Sequence, residues 1–268
     1  MHEMEESWVK AFEEQTRSYN EAFLPKQLCL WLPHLCQTWL RLSVVGVLLY
    51  FGTSLFCLDF WKRYFAQGSK LVSKQVMLSH IYESLKSIPV FSIMVTGFEY
   101  MALAGWAKCY PKISDVGLVA YFCHVILYLV VVEIGIYWVH RAMHEVKPIY
   151  KYIHSTHHRY VKETTISPFA GAAAHPLDEM LMAMPHGIAI LLVPIHFSTF
   201  LVIFLVEAIW GIIIHDRSQG LGWPFLSAPY HTIHHTSQHR NFGNFTILMD
   251  HLFGTVSHPK SYYRSSSS

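Results

Sequence analysis

Residues 116–144 read VGLVAYFCHVILYLVVVEIGIYWVHRAMH, an apolar run that ends in histidines. Val116–Val132 carries no Asp, Glu, Lys or Arg, and past Glu133 the run resumes as Ile134–Val139. A helix of about 20 mostly apolar residues crosses a bilayer. The stretch therefore reads as a membrane span that opens onto His140 and His144. Two more clusters follow, His154-Ser-Thr-His157-His158 and His231-Thr-Ile-His234-His235, in a chain of 268 residues with 19 histidines. Helix positions i, i+3 and i+4 share one face, with Cβ atoms about 5–6 Å apart, so each cluster is expected to aim its rings in one direction. Imidazole suits zinc, copper, iron and nickel, and eight rings exceed what one ion holds. Two metals in a shared histidine cage is the expectation. A lone HxxxH arises often by chance on a surface; three clusters in so short a chain do not.

Composition sets the surroundings. The chain is 52% hydrophobic and 14% charged, against about 25% charged in soluble domains. Leu42–Leu58 has no charged residue, Ile88–Trp106 has only Glu99, and Met180–Val206 has none. Four such runs leave too little polar surface for a soluble domain. The fold class expected is all-α: a polytopic membrane helical bundle with a cytosolic, histidine-rich di-metal cap. Residues 1–40 read as an acidic and polar N-terminal segment, 41–256 as the membrane-embedded domain, and 257–268 as a disordered Ser-rich tail. Acidic residues crowd the first 23 positions without an apolar core, so no cleavable signal peptide is expected. The five cysteines show no CxxC spacing and lie mostly in or near apolar runs, so they imply no disulfide framework and read as packing residues. The net charge of +2 gives no sign of nucleic-acid binding.

Charge then orients the chain. Lys62, Arg63, Lys70, Lys74 and Lys86, set against Glu83, follow the first span; Arg141, Lys147, Lys151, Arg159 and Lys162 follow the third. Both basic segments belong in the cytosol by the positive-inside rule, with the acidic N-terminus opposite. For the third cluster to join the first two, residues 180–214 must enter the membrane and return. As helix they span roughly 52 Å, enough for two short passes or a re-entrant hairpin, and Pro185 and Pro194 are placed to break it.

Beyond the clusters lie Tyr137-Trp138-Val139-His140-Arg141, Lys151-Tyr152-Ile153-His154, Ser167-Pro168-Phe169-Ala170-Gly171, His175-Pro176-Leu177-Asp178, Glu207-Ala208-Ile209-Trp210, Ile214-His215-Asp216 and Pro229-Tyr230-His231. With these the chain resembles the membrane fatty-acid-hydroxylase/sterol-desaturase superfamily, in particular its plant-type Δ7-sterol C5(6)-desaturase branch, over about residues 19–256. The resemblance implies an endoplasmic-reticulum membrane enzyme with its active site facing the cytosol. It implies two iron ions, O2 as co-substrate, and electrons from NAD(P)H through a reductase and cytochrome b5. No His-Pro-Gly-Gly haem motif occurs here, so the cytochrome b5 is a separate protein. The substrate implied is a membrane sterol that gains a C5(6) double bond.

The ligand set expected is His140, His144, His154, His157, His158, His231, His234 and His235, with His215 added by its match to a family position. His175 and His239 are further candidates, and Glu133, seven residues before His140 on the same helical face, is a candidate outer partner of a ring. Asp178, Glu207 and Asp216 are similar candidates. Two rival functions stand beside the desaturase: a C4-methyl oxidase or lipid hydroxylase of the same superfamily, and a membrane metal transporter. The clusters lie outside the apolar runs, which disfavours a conduction path, since transporter sites sit near the bilayer midplane.

Overall fold

The computed structural model describes residues 2–64, 72–159, 166–216 and 224–259. Most of the Ser-rich tail, together with Lys70 and Lys162 of the charge argument, lies outside the described residues. The chain is mostly helical: α1 (His2–Phe23), α2 (Lys26–Trp31), α3 (His34–Tyr64), α4 (Lys74–Leu103), α5 (Leu118–Glu145), α6 (Lys147–Tyr152), α7 (Pro176–Leu192), α8 (Phe197–Ile213), α9 (Ala228–Ser237) and α10 (Leu248–Leu252). One two-residue parallel pair, β1 (Cys109–Tyr110) with β2 (Ile195–His196), puts Cys109 opposite Ile195.

Among the described residues, two helices are long and apolar enough to cross a membrane, His34–Phe60 and Leu118–Glu145. Only 22% and 17% of their most apolar stretches are buried, whereas the core helix of a soluble protein hides its apolar residues. Leu48, Leu55 and Phe56 on α3, and Val119, Phe122, Ile126 and Val130 on α5, face outward. An apolar exterior of this kind fits lipid. The run Met180–Val206 is not one helix. It is split between α7 and the shorter apolar α8, because Pro194 has no N–H to continue the ladder and residues 195–196 pair as a strand instead.

Contacts divide the chain into two compact units: Met1–Leu48, Ile88–Val132 and Ala183–Val206 form the first, and Leu49–Ser87, Glu133–Met182 and Glu207–Ser268 the second. In the first unit, α1 docks along one stripe, Phe12, Thr16 and Asn20, buried at every fourth position and continued by Leu24 just past its end. Phe12 packs on Phe197 with ring centroids 5.1 Å apart, and Thr16 Oγ1 meets His34 Nε2 at 3.0 Å. Arg41 and Glu99 form a buried pair at 2.5 Å. His186 is satisfied by Tyr128 at 2.6 Å within a cluster that includes Phe200 and Phe204. The second unit holds all three histidine clusters.

Candidate metal centre

Local structure in the second unit decides which ring goes where. His140 and His144 lie one turn apart near the end of α5. The second cluster forms a 3₁₀ turn, His154–Arg159, in place of the expected α-helix. Successive residues of such a turn point about 120° apart. The His157 and His158 ring planes stand at 80° to one another. The third cluster rides on α9, which starts after Ser227 with Pro229 in its first turn and ends at Gln238 in a left-handed conformation, φ 60°. Here too the rings divide, so neither the second nor the third cluster aims all its rings one way.

The rings sort into two groups across the clusters. His140, His144, His154, His158 and His234 form one, and His157, His215, His231 and His235 the other, with the possible ligand atoms within 4.8 Å of one another in each. All except His157 are buried. His215, at the end of α8, completes the second group. His175 accepts a hydrogen bond from the Leu177 N–H at 3.2 Å, at the start of α7. His239 is exposed, and neither His175 nor His239 belongs to a group. Glu133 accepts from the N–H and hydroxyl of Thr246, at 3.1 and 2.6 Å. Asp216 is buried. Asp178 meets a ring directly, 2.7 Å from His154 Nδ1.

Hydrogen bonding fixes the tautomers, because a backbone carbonyl can only accept. His140 Nδ1–H donates to the Phe242 carbonyl at 2.8 Å, His234 Nδ1–H to that of Arg240 at 2.9 Å, and His215 Nδ1–H to that of Gly211 at 2.6 Å. Each of these neutral rings presents a bare Nε2 lone pair. The Nε2 atoms of His215, His231 and His235 lie 3.0–3.1 Å from one another. His234 Nε2 lies 3.1 Å from that of His158 and 3.2 Å from that of His144, which in turn is 2.9 Å from that of His154. A ring nitrogen that carries a hydrogen cannot also accept, so the closed triangle of His215, His231 and His235 cannot satisfy itself. Converging lone pairs call for a cation.

The chemistry of the donor set fits a transition metal. Burial pulls His154 down to about 3 and His215 to about 4, and holds His157, His158, His231, His234 and His235 well below the ordinary histidine value. These rings are neutral and ready to ligate. Asp178 is buried as well, and a cation on the far side of His154 would offset the cost of a carboxylate there. At a metal–nitrogen distance of ~2.1 Å, neighbouring ligands lie ~3.0 Å apart on an octahedron and ~3.4 Å apart on a tetrahedron. Most of the spacings observed match the first figure. Five imidazoles in one group also exceed the four of a closed zinc site.

The Arg240 and Phe242 carbonyls escape a reading of the sequence, because every residue has one. The only signal is the run Asn241-Phe242-Gly243-Asn244, rich in turn formers, just after α9.

A family model for fatty acid hydroxylases matches residues 125–255, a span that includes every ring of both groups. The chain is 44% identical to a Δ7-sterol-C5(6)-desaturase of Nicotiana tabacum over 95% of its own length and 97% of the relative's. It is 42% identical to a putative Δ7-sterol-C5(6)-desaturase 2 of Arabidopsis thaliana, over 91% of each chain. A lathosterol oxidase of Rattus norvegicus is 32% identical over 71% of this chain and 63% of its own length. No solved structure matches.

Proposed function

This chain belongs to the fatty acid hydroxylase family, and from that footing we propose that it is a sterol C5(6)-desaturase of sterol biosynthesis, working through two irons held by its two histidine groups. It is an oxidoreductase. The observation that carries the reading is the sorting of nine rings into groups of five and four in a chain nearly coextensive with named desaturases.

Bound iron supplies the O2-dependent oxidant that an unactivated C–H bond requires. Removing hydrogen from C5 and C6 while reducing O2 to two waters takes two further electrons and two protons. We assign the electrons to NAD(P)H, delivered through a reductase and a separate cytochrome b5. His140, His144, His154, His158 and His234 would hold one iron, and His157, His215, His231 and His235 the other. Phe242, Arg240 and Gly211 carbonyls and the Asp178 carboxylate orient four of the rings, and burial keeps bulk water out.

The same reading proposes a polytopic protein of the endoplasmic-reticulum membrane. In it α3 and α5 cross the bilayer, α4 and the α7–α8 hairpin complete the bundle of residues 41–256, and the histidine cap faces the cytosol. A sterol is nearly insoluble in water and would reach the site from the bilayer.

The test is expression in yeast lacking its sterol C5-desaturase. Accumulation of 5,7-diene sterols, read by ultraviolet absorbance, is the expected result. A product 16 mass units heavier than the substrate, in place of one 2 units lighter, would move the assignment to a hydroxylase of the same family.

A further inference from the structure

Two of the carbonyls that hold the five-histidine group sit on Arg240-Asn241-Phe242-Gly243, a stretch outside any helix. Its shape is imposed from one side by Asp250, a fully buried carboxylate on α10. Asp250 Oδ1 accepts from the Phe242 N–H at 2.8 Å and the Thr255 hydroxyl at 2.7 Å; Oδ2 accepts from the Gly243 N–H at 2.8 Å. The loop has no slack. A Cβ at Gly243 would stand 2.1 Å from the Thr246 carbonyl oxygen and 3.0 Å from Asp250 Oδ2.

The same carboxylate reaches the helix that bears the rings. The Thr255 hydroxyl gives its hydrogen to Asp250, so in its 3.0 Å contact with Tyr137 the phenol donates. Arg141 Nη1 donates in turn to the Tyr137 oxygen at 3.2 Å. Tyr137 lies one turn before His140 on α5. Asp250 thus ties together both ends of the His140 hydrogen bond: the peptide that accepts it and the helix face that donates it.

We infer that Asp250 is a positioning residue for the five-histidine group. Its bond to the Gly243 N–H sets the Phe242 carbonyl, and its hold on Thr255, whose carbonyl accepts from the Asn241 N–H at 3.0 Å, sets that of Arg240, so that His140 and His234 stay as Nδ1–H tautomers with their Nε2 lone pairs aimed at the shared centre. It touches no ring itself. The consequence for metal binding rests on the proposed iron centre; the hydrogen bonds do not. A carboxylate that only stabilised the fold would loosen every ring alike when altered, whereas this arrangement singles out two.

The test uses the full chain in lipid nanodiscs, metal-free, with ¹⁵N-labelled histidine and signals assigned through His140→Gln, His215→Gln and His234→Gln. Asp250→Asn keeps the shape but sets an amide N–H against donors. His140 and His234 are expected to shift from the Nδ1–H form to a mixture of tautomers, while His215, held by Gly211, keeps its signal. Fe(II) titration should then show ~10–100-fold weaker binding at one of two sites. Thr255→Val removes one donor and should shift the same two rings less, and it decides the matter if Asp250→Asn does not fold. Unchanged His140 and His234 tautomers, or an equal change at His215, would overturn the inference. A wild-type chain that bound no Fe(II) would sink the iron centre instead, and the tautomer comparison would still decide the role of Asp250.

Discussion

The five-histidine group and the four-histidine group present similar Nε2 spacings and differ in what stands behind the rings. In the first, His140 and His234 each give Nδ1–H to a carbonyl and His154 Nδ1 is hydrogen-bonded to the Asp178 carboxyl, and among the described residues only His158 has a buried Nδ1 without a partner. In the second, only His215 is held, and the Nδ1 atoms of His157, His231 and His235 are buried with no partner among the described residues. Outer acceptors fix the tautomer and orientation of a ligating ring and raise its basicity. The difference therefore predicts one tight, preorganised site and one more labile site in the same cage.

Removing a ligand outright is the largest blow, and it asks whether both groups are needed. His234→Ala and His231→Ala, one from each group, are each expected to cut turnover by more than ~100-fold, since losing even an outer partner costs up to that much. Neither change touches an apolar span, so membrane insertion should persist. A His231→Ala enzyme that kept roughly a tenth of its activity would make the four-histidine group an accessory.

Chelation sharpens the contrast. Iron should leave the loaded enzyme in two phases under a chelator, the faster one from the four-histidine group. Asp178→Asn should weaken iron at the five-histidine group by ~10–100-fold and bring the two phases together. If it sped up only the faster phase, the assignment of His154 to the tight site would fail.

Much of this centre was legible in advance because metal-ligand spacing is local. HxxxH and HxxHH announce themselves within five residues. The division of residues 180–214 into two helices was legible too, from Pro194. What the spacing could not show was the sorting. His157 and His158 are adjacent, as are His234 and His235, and each pair is split between the two groups, a division set by where the other clusters lie in space rather than by local periodicity. The acceptors were less visible still. Asp178 could be named as an acidic candidate, but the carbonyls of Gly211, Arg240 and Phe242 belong to the backbone and carry no residue code. Glu133 shows the converse: its place on the His140 face suggested a ring partner, while its carboxylate holds Thr246. Charge of the right sign at helical spacing marks a buried acceptor without saying which donor fills it.

The smallest effect probes the weaker group from behind. Gly171 closes the turn after the second cluster, where a Cβ would lie 2.6 Å from the Ile212 Cα and 3.0 Å from the Gly211 carbonyl oxygen. Both neighbours are backbone of α8, which cannot swing aside as a side-chain end can. Gly171→Ala should therefore cost ~1–3 kcal/mol by overpacking, read as a lowered Tm. The Gly211 carbonyl also accepts the only fixed Nδ1–H of the four-histidine group, from His215, so pushing it shifts that ring. Iron at this group should weaken by a few-fold while the five-histidine group is untouched. Gly52→Ala serves as the control, because nothing lies within 4 Å of its Cβ and neither stability nor iron binding should fall. Equal loss of iron from both groups in Gly171→Ala would mean that the cage responds as one rigid body, and the division into a tight and a labile site would have to be abandoned.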